Sequence, residues 1–329
     1  MGVQSFGNQA LPREDNSHSS YGGAKVAIAS EDGLEKSGKE FSRASSVQPF
    51  LKWPGGKRWL VTSLTRIIAD IEYGTYREPF LGGGALFFAL RPKLAVLSDI
   101  NEDLINTYQQ VKRQSQALLA NLRNLPINKD TYNFMRRWPG GSSVHRAVRF
   151  LYLNRTAFSG MYRVNRQGQF NVPFGGGART TGPLWERNLL TSASKALRSA
   201  QLRTVDFEEA IHNAEYGDLV YCDPAYTVAH NNNGFIRYNE RNFSWNDQKR
   251  LARCCLSASN RGVTIIVSNA YHRELLRLFR PPLHFAASRT SCLCPKPTHR
   301  RSVREYIFVF PAKSNRKAFV QIHRHAFEE

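Results

Sequence analysis

Cysteine is scarce in this sequence and shows no pattern of spaced pairs. The 329 residues contain five cysteines, an odd number, and two of them, Cys254 and Cys255, are adjacent in a helix-like stretch. This usage excludes a disulfide framework and predicts reduced thiols in a cytosolic protein. Cys292 and Cys294, with His299 nearby, lack the second spaced pair of a zinc site, so we expect no bound metal.

Long apolar runs are absent as well. The sequence has no run of about 18 apolar residues, the length that a membrane-spanning helix needs. Its first residues also lack the apolar centre of a secretion signal. We therefore expect neither insertion into a membrane nor export.

Acidic residues are few relative to basic ones. The chain has 46 Lys and Arg against 26 Asp and Glu, a formal charge of +20. Residues 1–46 hold five basic and six acidic residues, so the positive excess lies in the remainder. Such an excess favours a polyanionic partner, either nucleic acid or an acidic membrane surface. Residues 1–46 are also rich in Ser and Gly and have no apolar periodicity, which predicts a disordered tail.

Apolar runs alternate with helical patterns after this tail. The predicted strands are Tyr76–Phe80, Leu94–Ile100, Leu219–Asp223, Val263–Ala270 and Arg304–Phe310, and helices are predicted at residues 84–90, 101–122, 245–260 and 272–279. This alternation is typical of an α/β fold, a doubly wound and mostly parallel sheet with helices on both faces. Ligands bind such sheets at the carboxyl ends of the strands.

A basic segment interrupts the alternation. Between residues 142 and 205 there are ten Lys or Arg and one acid, Glu186. Phe, Tyr and Arg are interleaved there with Asn, Gln and Gly, as on surfaces that contact a nucleic-acid backbone and insert side chains between bases. The alternative is a solvated basic face. We interpret residues 116–205 as a domain inserted into a sheet domain of residues 47–115 and 206–312, which a basic tail follows at residues 313–329.

The segment Glu78–Phe88, EPFLGGGALFF, places three glycines between a strand end and a helix start. Glycines let a ligand approach the backbone closely, although such turns often only reverse the chain. The segment is not G-x-G-x-x-G, because Phe87 occupies the third glycine position, and it is not a P-loop. Asp99, at the end of the next strand, either accepts hydrogen bonds from a ribose or caps a helix. Asn101 and Asp103 are equally good caps, which leaves Asp99 freer for another role. The glycine turn followed by this acid indicates a nucleoside-containing ligand without a required phosphate.

The segment Asp223–Tyr226, DPAY, follows a buried strand. The Asp223 carboxylate and the main-chain carbonyl of Pro224 can accept both hydrogens of an exocyclic amine, and Tyr226 can stack on the ring that carries the amine. Two acceptors suit methyl transfer to nitrogen, because they draw a conjugated amine towards tetrahedral geometry and stabilise the charge that develops. In a duplex the base must first be flipped out. By itself, Asp-Pro is equally an ordinary turn.

The segment Phe50–Trp59, FLKWPGGKRW, has two lysines and two tryptophans around a Pro-Gly-Gly turn. A lysine at such a turn can meet a carboxylate or a phosphate. The alternative is a basic turn that only closes onto the core.

Together and in this order, the motifs resemble those of the Dam-type, alpha-group DNA adenine-N6 methyltransferases, which use S-adenosylmethionine. The resemblance covers residues 50–310 and rests on FLKWPGGK, EPFLGGGALFF, SDINEDL, YLNRTAFSGMYRVNRQGQFNVPFG, GDLVYCDPAY and IIVSNA. It implies a Rossmann-like methyltransferase domain at residues 47–115 and 206–312, with a DNA target-recognition domain at residues 116–205. It also implies a cytoplasmic, nucleoid-associated protein of a prokaryote or phage. We expect a monomer, or two copies on a palindromic site of duplex DNA.

The same resemblance implies roles for individual residues. Those expected around S-adenosylmethionine are Trp53, Lys57, Glu78, Phe80, Gly82, Asp99 and Asp223. The catalytic group would be Asp223, Pro224 and Tyr226. Those expected on the DNA are Lys52, Arg155, Met161, Arg163, Asn165 and Pro173. The family's GATC-methylating members make GATC the first candidate site, and an arginine such as Arg163 suits guanine, its commonest specific base contact.

One position departs from the family pattern. Ala225 stands where the usual Asp-Pro-Pro-Tyr motif has its second proline. Alanine leaves the backbone angle φ of this residue unfixed, so ordering the turn costs about 1 kcal/mol more than with proline. We expect a working or slowed enzyme. The alternatives are a DNA-binding paralogue with little or no activity and an RNA adenine methyltransferase. A nicotinamide-dependent oxidoreductase is disfavoured, because the third glycine is absent and no hydride-handling pair is apparent.

Overall fold

A computed structural model describes residues 26–28, 47–165, 167–176, 185–227, 243–290, 302–317 and 319. The strands are β1 (Val26–Ile28), β2 (Tyr76–Glu78), β3 (Ala95–Asp99), β4 (Ala200–Thr204), β5 (Leu219–Cys222), β6 (Thr264–Ala270), β7 (Leu283–Thr290) and β8 (Ser302–Phe310). The α-helices are α1 (Val61–Ala69), α2 (Ala85–Leu90), α3 (Glu102–Arg123), α4 (Lys129–Arg137), α5 (Ser143–Thr156), α6 (Arg187–Ala196), α7 (Phe207–His212), α8 (Trp245–Asn260) and α9 (Arg273–Phe279).

The strands form one sheet in the order β1-β7-β8-β6-β5-β2-β3-β4. All neighbouring pairs are parallel except those of β8, which is antiparallel to both β6 and β7. The chain moves outward from β2 to β3 and β4, and then returns to place β5 on the other side of β2. The point where the direction of winding reverses is therefore between β2 and β5, where sheets of this kind bind their ligands.

Both faces of the sheet are buried. Along β5, Leu219 and Tyr221 belong to one apolar core, and Val220 and Cys222 belong to the other. This division follows from the alternation of side chains along a strand, and it requires helices on both sides of the sheet. Helices α1 to α6 contribute to the first core, and α7, α8 and α9 contribute to the second. The predicted doubly wound, mostly parallel α/β fold is confirmed.

The elements predicted from periodicity are confirmed, with ends that differ by at most two residues. Strands β4 and β7 and helices α1 and α4 to α7 were not predicted from periodicity. The sequence analysis expected residues 1–46 to be disordered, whereas Val26–Ile28 forms a strand parallel to β7; the other residues of that segment lie outside the described residues. Helix α3 runs across the expected domain boundary at residue 115, and β4, which was expected in the insert, pairs with β3 in the sheet. The division into two domains stays a prediction.

A buried ion pair joins the start of β5 to β2. The Arg77 guanidinium contacts Asp218 Oδ2, and the same carboxylate accepts hydrogen bonds from the N–H groups of Thr75 at 3.2 Å and Glu215 at 3.0 Å. The Asp218 side chain is 6% exposed and that of Arg77 is 12% exposed. Removal of one partner would leave the other as an uncompensated buried charge.

We expect Asp218→Ala to lower the free energy of unfolding by about 3–5 kcal/mol, because Arg77 and two backbone N–H groups lose their acceptor. Urea unfolding followed by circular dichroism measures this change. The matched control is Glu102→Ala, which removes the exposed partner of Arg146 at 2.9 Å and should cost at most about 1 kcal/mol. Equal losses in the two variants would contradict a structural role for the Asp218 pair.

Candidate functional site

Four acids lie at one edge of the sheet. Glu78 and Asp99 are the last residues of β2 and β3, Asp223 directly follows β5, and Asp206 follows β4 after one intervening residue. These four strands are parallel and adjacent, so their carboxyl ends lie at the same edge. The sequence analysis singled out the first three acids, but it missed Asp206 because it missed β4.

The Asp223 carboxylate is fixed through one of its oxygens. Oδ1 lies 2.7 Å from the Lys57 ammonium and accepts a hydrogen bond from the Ser268 hydroxyl at 2.8 Å. The hydroxyl groups of Ser268 and Tyr221 are 3.0 Å apart, so Tyr221 can donate to Ser268. Within the described part of the chain, both of these contacts are made by Oδ1. They orient the carboxylate so that Oδ2 can accept from another donor.

The Lys57 ammonium also contacts groups other than Asp223. It is 3.7 Å from Glu305 Oε2, and its nitrogen lies 4.7 Å from the centre of the Tyr226 ring. Burial raises the pKa of the Tyr226 hydroxyl, and the charge of the nearby Glu305 carboxylate acts in the same direction. We call Lys57, Asp223, Tyr226 and Glu305 the lysine–carboxylate cluster. Burial by itself lowers the pKa of Lys57, but the surrounding negative charges, with Asp223 first, hold this pKa well above its usual range.

Glu78 is buried beside Tyr76, whose hydroxyl donates to Glu78 Oε2 at 2.8 Å. Burial raises the pKa of Glu78 to about 8, although the hydrogen bond from Tyr76 acts in the opposite direction. The carboxyl group therefore changes its charge within the physiological range of pH.

We expect this titration to make the folded protein less stable as the pH rises. The pKa of Glu78 is about 8 in the folded state and 4.5 ordinarily, so the folded state binds an additional proton between these values. Stability should decrease with pH across this window by at most about 1.4 kcal/mol per pH unit. Glu78→Gln should reduce that slope, whereas the surface control Glu72→Gln should not. Urea unfolding at a series of pH values measures both slopes, and an unchanged slope in Glu78→Gln would contradict the raised pKa.

The glycine loop after β2 is packed against Trp53. Gly82 has a φ of +45°, and a Cβ on it would come within 2.7 Å of the Trp53 indole. The close approach that the glycine permits is thus made by a side chain of the protein itself. Trp53 also stacks on Tyr162 at 5.3 Å and on Phe150 at 6.4 Å between ring centres. The indole therefore lies between the loop and the basic segment.

Asp99 does not cap the following helix. Asn101 is the cap of α3, and its side chain accepts from the N–H of Leu104 at 3.0 Å. Asp99 instead accepts hydrogen bonds from the N–H groups of Gly82 at 3.1 Å and Asn101 at 3.0 Å, which ties the end of β3 to the glycine loop. The alternative of Asp99 as a helix cap is therefore wrong.

Apolar side chains surround this acidic edge. Phe80 stacks on Phe207 at 5.3 Å and meets Phe243 edge-on at 5.5 Å between ring centres. Ile100, directly after Asp99, is 70% exposed. Flat and apolar surfaces beside a carboxylate suit a ligand that carries both a ring and hydroxyl groups.

Positive charges gather where Lys52 meets helix α5. The Asn154 side chain bonds the Lys52 backbone twice, by accepting from its N–H at 3.0 Å and by donating to its carbonyl at 2.7 Å. A Cβ on Gly160 would overlap the Lys52 side chain. Desolvation and the charges of Arg155 and then Arg58 lower the pKa of Lys52. Because three cations interact here, an anion would relieve their repulsion.

An antiparallel bridge between Val164 and Phe170 brings Arg163 next to Asn171. We call Arg163, Val164, Phe170 and Asn171 the bridged segment. Arg163 Nε donates to Asn171 Oδ1 at 2.9 Å, and its Nη2 donates to the Asn171 carbonyl at 3.3 Å, which fixes the plane of the guanidinium. Asn165 does not project freely, because its side chain accepts from the N–H groups of Gln167 and Gln169 and so closes the turn.

The structure brings most of the expected site residues into three groups. Trp53, Gly82 and Asp99 are in contact around the glycine loop, and Lys57 contacts Asp223 and Tyr226 in the lysine–carboxylate cluster. Lys52 and Arg155 interact beside the segment that contains Met161 and Arg163. Pro173 is exposed, and its carbonyl accepts from the N–H of Phe158 at 2.9 Å. Their individual roles stay predictions.

The sequence analysis missed Ser268 and Glu305, both of which contact the site. Glu305 is the only acid in the run REYIFVF, and a lone charge in a buried strand is a signal that a partner lies nearby. Within the described ranges, no group of three His, Cys, Asp or Glu residues could hold a metal ion. Cys292, Cys294 and His299 lie outside those ranges. No helix in the described part of the chain is long and apolar enough to cross a membrane.

Comparisons with known proteins place the chain among methyltransferases. The family model of the D12 class of N6 adenine-specific DNA methyltransferases matches residues 53–284. The type II methyltransferase M1.LlaDCHI of Lactococcus lactis subsp. cremoris is 38% identical over 68% of this chain and 82% of its own length. The type II methyltransferase M.MjaIII of Methanocaldococcus jannaschii is 32% identical over 69% and 85%. The DNA adenine methylase of Vibrio cholerae is 34% identical over 70% and 84%.

Proposed function

Because the chain belongs to the D12 class of N6 adenine-specific DNA methyltransferases, we propose that it methylates adenine N6 in GATC sites of duplex DNA, with S-adenosylmethionine as the donor. The supporting observation is the Asp223 carboxylate, which is anchored through Oδ1 and lies at the carboxyl end of β5, next to the point where the winding reverses. A protein with this substrate acts where chromosomal DNA is, so we propose a cytoplasmic, nucleoid-associated enzyme. We further propose that it is a monomer, or two copies on a palindromic site.

The residues at the glycine loop fit S-adenosylmethionine. Asp99 is fixed by two backbone N–H groups and stays partly exposed, so its carboxylate can accept from ribose hydroxyls. The exposed Ile100 and the Phe80 ring offer apolar surface to an adenine base. Trp53, Glu78 and Gly82 would line the same loop. When bound, S-adenosylmethionine supplies a methyl group activated by the positive sulfur.

The Asp223–Tyr226 turn would prepare the target amine. Asp223 Oδ2 and the carbonyl of Pro224 would each accept one N6 hydrogen, because Oδ1 is already held by Lys57 and Ser268. This arrangement turns the nitrogen lone pair out of conjugation with the ring and stabilises the positive charge that builds on N6. Asp223 Oδ2 can then take the proton that N6 loses. Tyr226 would stack on the flipped base, whose exit from the duplex costs a few kcal/mol.

Ala225 favours a second candidate, a DNA-binding paralogue with little or no activity. Its φ is not constrained by a ring, and it packs partly buried against the second core beside Tyr226. The two candidates differ in one result, since a weakened turn should be improved by Ala225→Pro.

We expect labelled methyl to pass from S-adenosylmethionine to a duplex with one GATC site, and not to the same duplex with 2-aminopurine in place of the target adenine. Asp223→Asn should slow transfer by about 100-fold or more, because one acceptor for the charged amine becomes an amide. Calorimetry with the donor and a gel shift with the duplex show whether this variant still binds both ligands.

Each other outcome of this assay has a distinct meaning. Label in unmethylated genomic DNA but not in the GATC duplex would overturn only the site. Preferential labelling of an RNA duplex of equal length would overturn the DNA substrate. Absence of label with the donor still bound, followed by strong activity in Ala225→Pro, would establish the weak paralogue.

We expect Arg163 to read a guanine from a guanidinium oriented by Asn171. Arg163→Ala should reduce discrimination against a substituted guanine by about 1–3 kcal/mol. Asn171→Ala should reduce it by less, because the arginine stays but loses its fixed plane. The ratio of kcat/KM for GATC and for duplexes in which 7-deazaguanine replaces the guanine, and so removes its N7 acceptor, measures both effects. The charge-matched control is Arg203→Ala on the sheet edge, and loss of discrimination there as well would contradict a specific role for Arg163.

A further inference from the structure

Glu305 is a buried charge in the middle of the sheet. It lies on the antiparallel strand β8, where its neighbours across the two adjoining strands are Ala270 and Ala287. It is 2% exposed. A carboxylate that has lost water in this way needs other groups to stabilise its charge, and two alanines provide none. Its partners therefore come from outside the strand pairing.

Two of its neighbours belong to the lysine–carboxylate cluster. The Lys57 ammonium lies 3.7 Å from Glu305 Oε2, and the buried Tyr226 hydroxyl interacts electrostatically with the same carboxylate. Lys57 simultaneously contacts Asp223 Oδ1 at 2.7 Å and the carbonyl of Gly55 at 3.3 Å. One ammonium thus connects two carboxylates that come from β8 and from the turn after β5.

Lys57 joins both ends of the Asp223–Tyr226 turn to β8. Its ammonium contacts Asp223 at one end of the turn, lies 4.7 Å from the centre of the Tyr226 ring at the other end, and contacts Glu305. The residue inside this span, Ala225, lacks the ring that would otherwise fix its φ. Contacts to β8 therefore restrict the two ends of this turn, whereas the backbone of Ala225 between them is not restricted by a proline ring.

We propose that Glu305 is a positioning residue for methyl transfer, which holds Lys57 and Tyr226 so that Asp223 and the stacking ring keep their places on the target base. The inference rests on the proposed function. It gives β8 a part in the reaction, although Glu305 itself contacts neither the base nor the donor. It also accounts for Ala225 in the turn. Contacts to β8 would restrict the backbone conformation that a second proline would otherwise restrict from within the chain.

The test compares wild type, Glu305→Gln, Glu305→Asp and Tyr226→Phe in methyl transfer to the DNA that the wild type methylates. Glu305→Gln should lower kcat by about 100-fold, the loss expected from a displacement of about 1 Å, while the KM values for donor and duplex change little. Glu305→Asp, which keeps the charge, should recover part of the rate. Tyr226→Phe keeps the ring and removes only the hydroxyl beside Glu305, so it tests the same part of the cluster should Glu305→Gln fail to fold.

A double variant separates positioning from a merely structural role. If Glu305 restricts the turn, Ala225→Pro should restore a larger fraction of kcat in the Glu305→Gln background than it adds to the wild type. The fluorescence of 2-aminopurine at the target position should show a less firmly held base in Glu305→Gln and should change in the same direction in Tyr226→Phe.

Failure of the inference and failure of the proposed function give different results. A wild type that methylates no DNA removes both. An active wild type with unchanged kcat in Glu305→Gln and in Tyr226→Phe overturns the inference alone. Loss of folding in Glu305→Gln together with unchanged kcat in Tyr226→Phe also overturns it, because the carboxylate would then stabilise the sheet without positioning the turn.

Discussion

The site depends on the buried ammonium of Lys57. This side chain is 7% exposed and joins the turn before α1 to the turn after β5 through Asp223. A buried cation without partners would be strongly destabilising, so the same contacts that satisfy Lys57 also fix the carboxylate. The Lys57 charge therefore contributes to stability and, under the proposed function, also holds the carboxylate that prepares the amine.

The sheet supplies the rest of the site by its connectivity. Because β2, β3, β4 and β5 are parallel and adjacent, residues far apart in the sequence end at one edge. The antiparallel strand β8 is different, since it runs against its neighbours and brings Glu305 towards this edge from the opposite direction. The site therefore combines strand ends with residues from within strands, namely Glu305 of β8 and Ser268 of β6.

Much of this arrangement could be predicted from the sequence. The buried strands are continuous apolar runs, and the acids at their ends stand where an α/β sheet binds ligands, so Asp99 and Asp223 were identifiable. Strand β4, AQLRT, is a partly exposed edge strand with too few apolar residues to show a pattern, and Asp206 was missed with it. Contacts between distant segments, such as that of Glu305 with Lys57, depend on tertiary packing and leave no periodic signal.

The position of Trp53 affects how the proposed donor and the proposed DNA substrate would influence each other's binding. Its indole contacts Gly82 on one side and stacks on Tyr162 and Phe150 of the basic segment on the other. A shift of the glycine loop therefore moves a ring that also supports the surface beside the bridged segment. With the donor at the glycine loop and DNA at the basic segment, as proposed, the factor by which one ligand changes the affinity of the other would be the same in both directions.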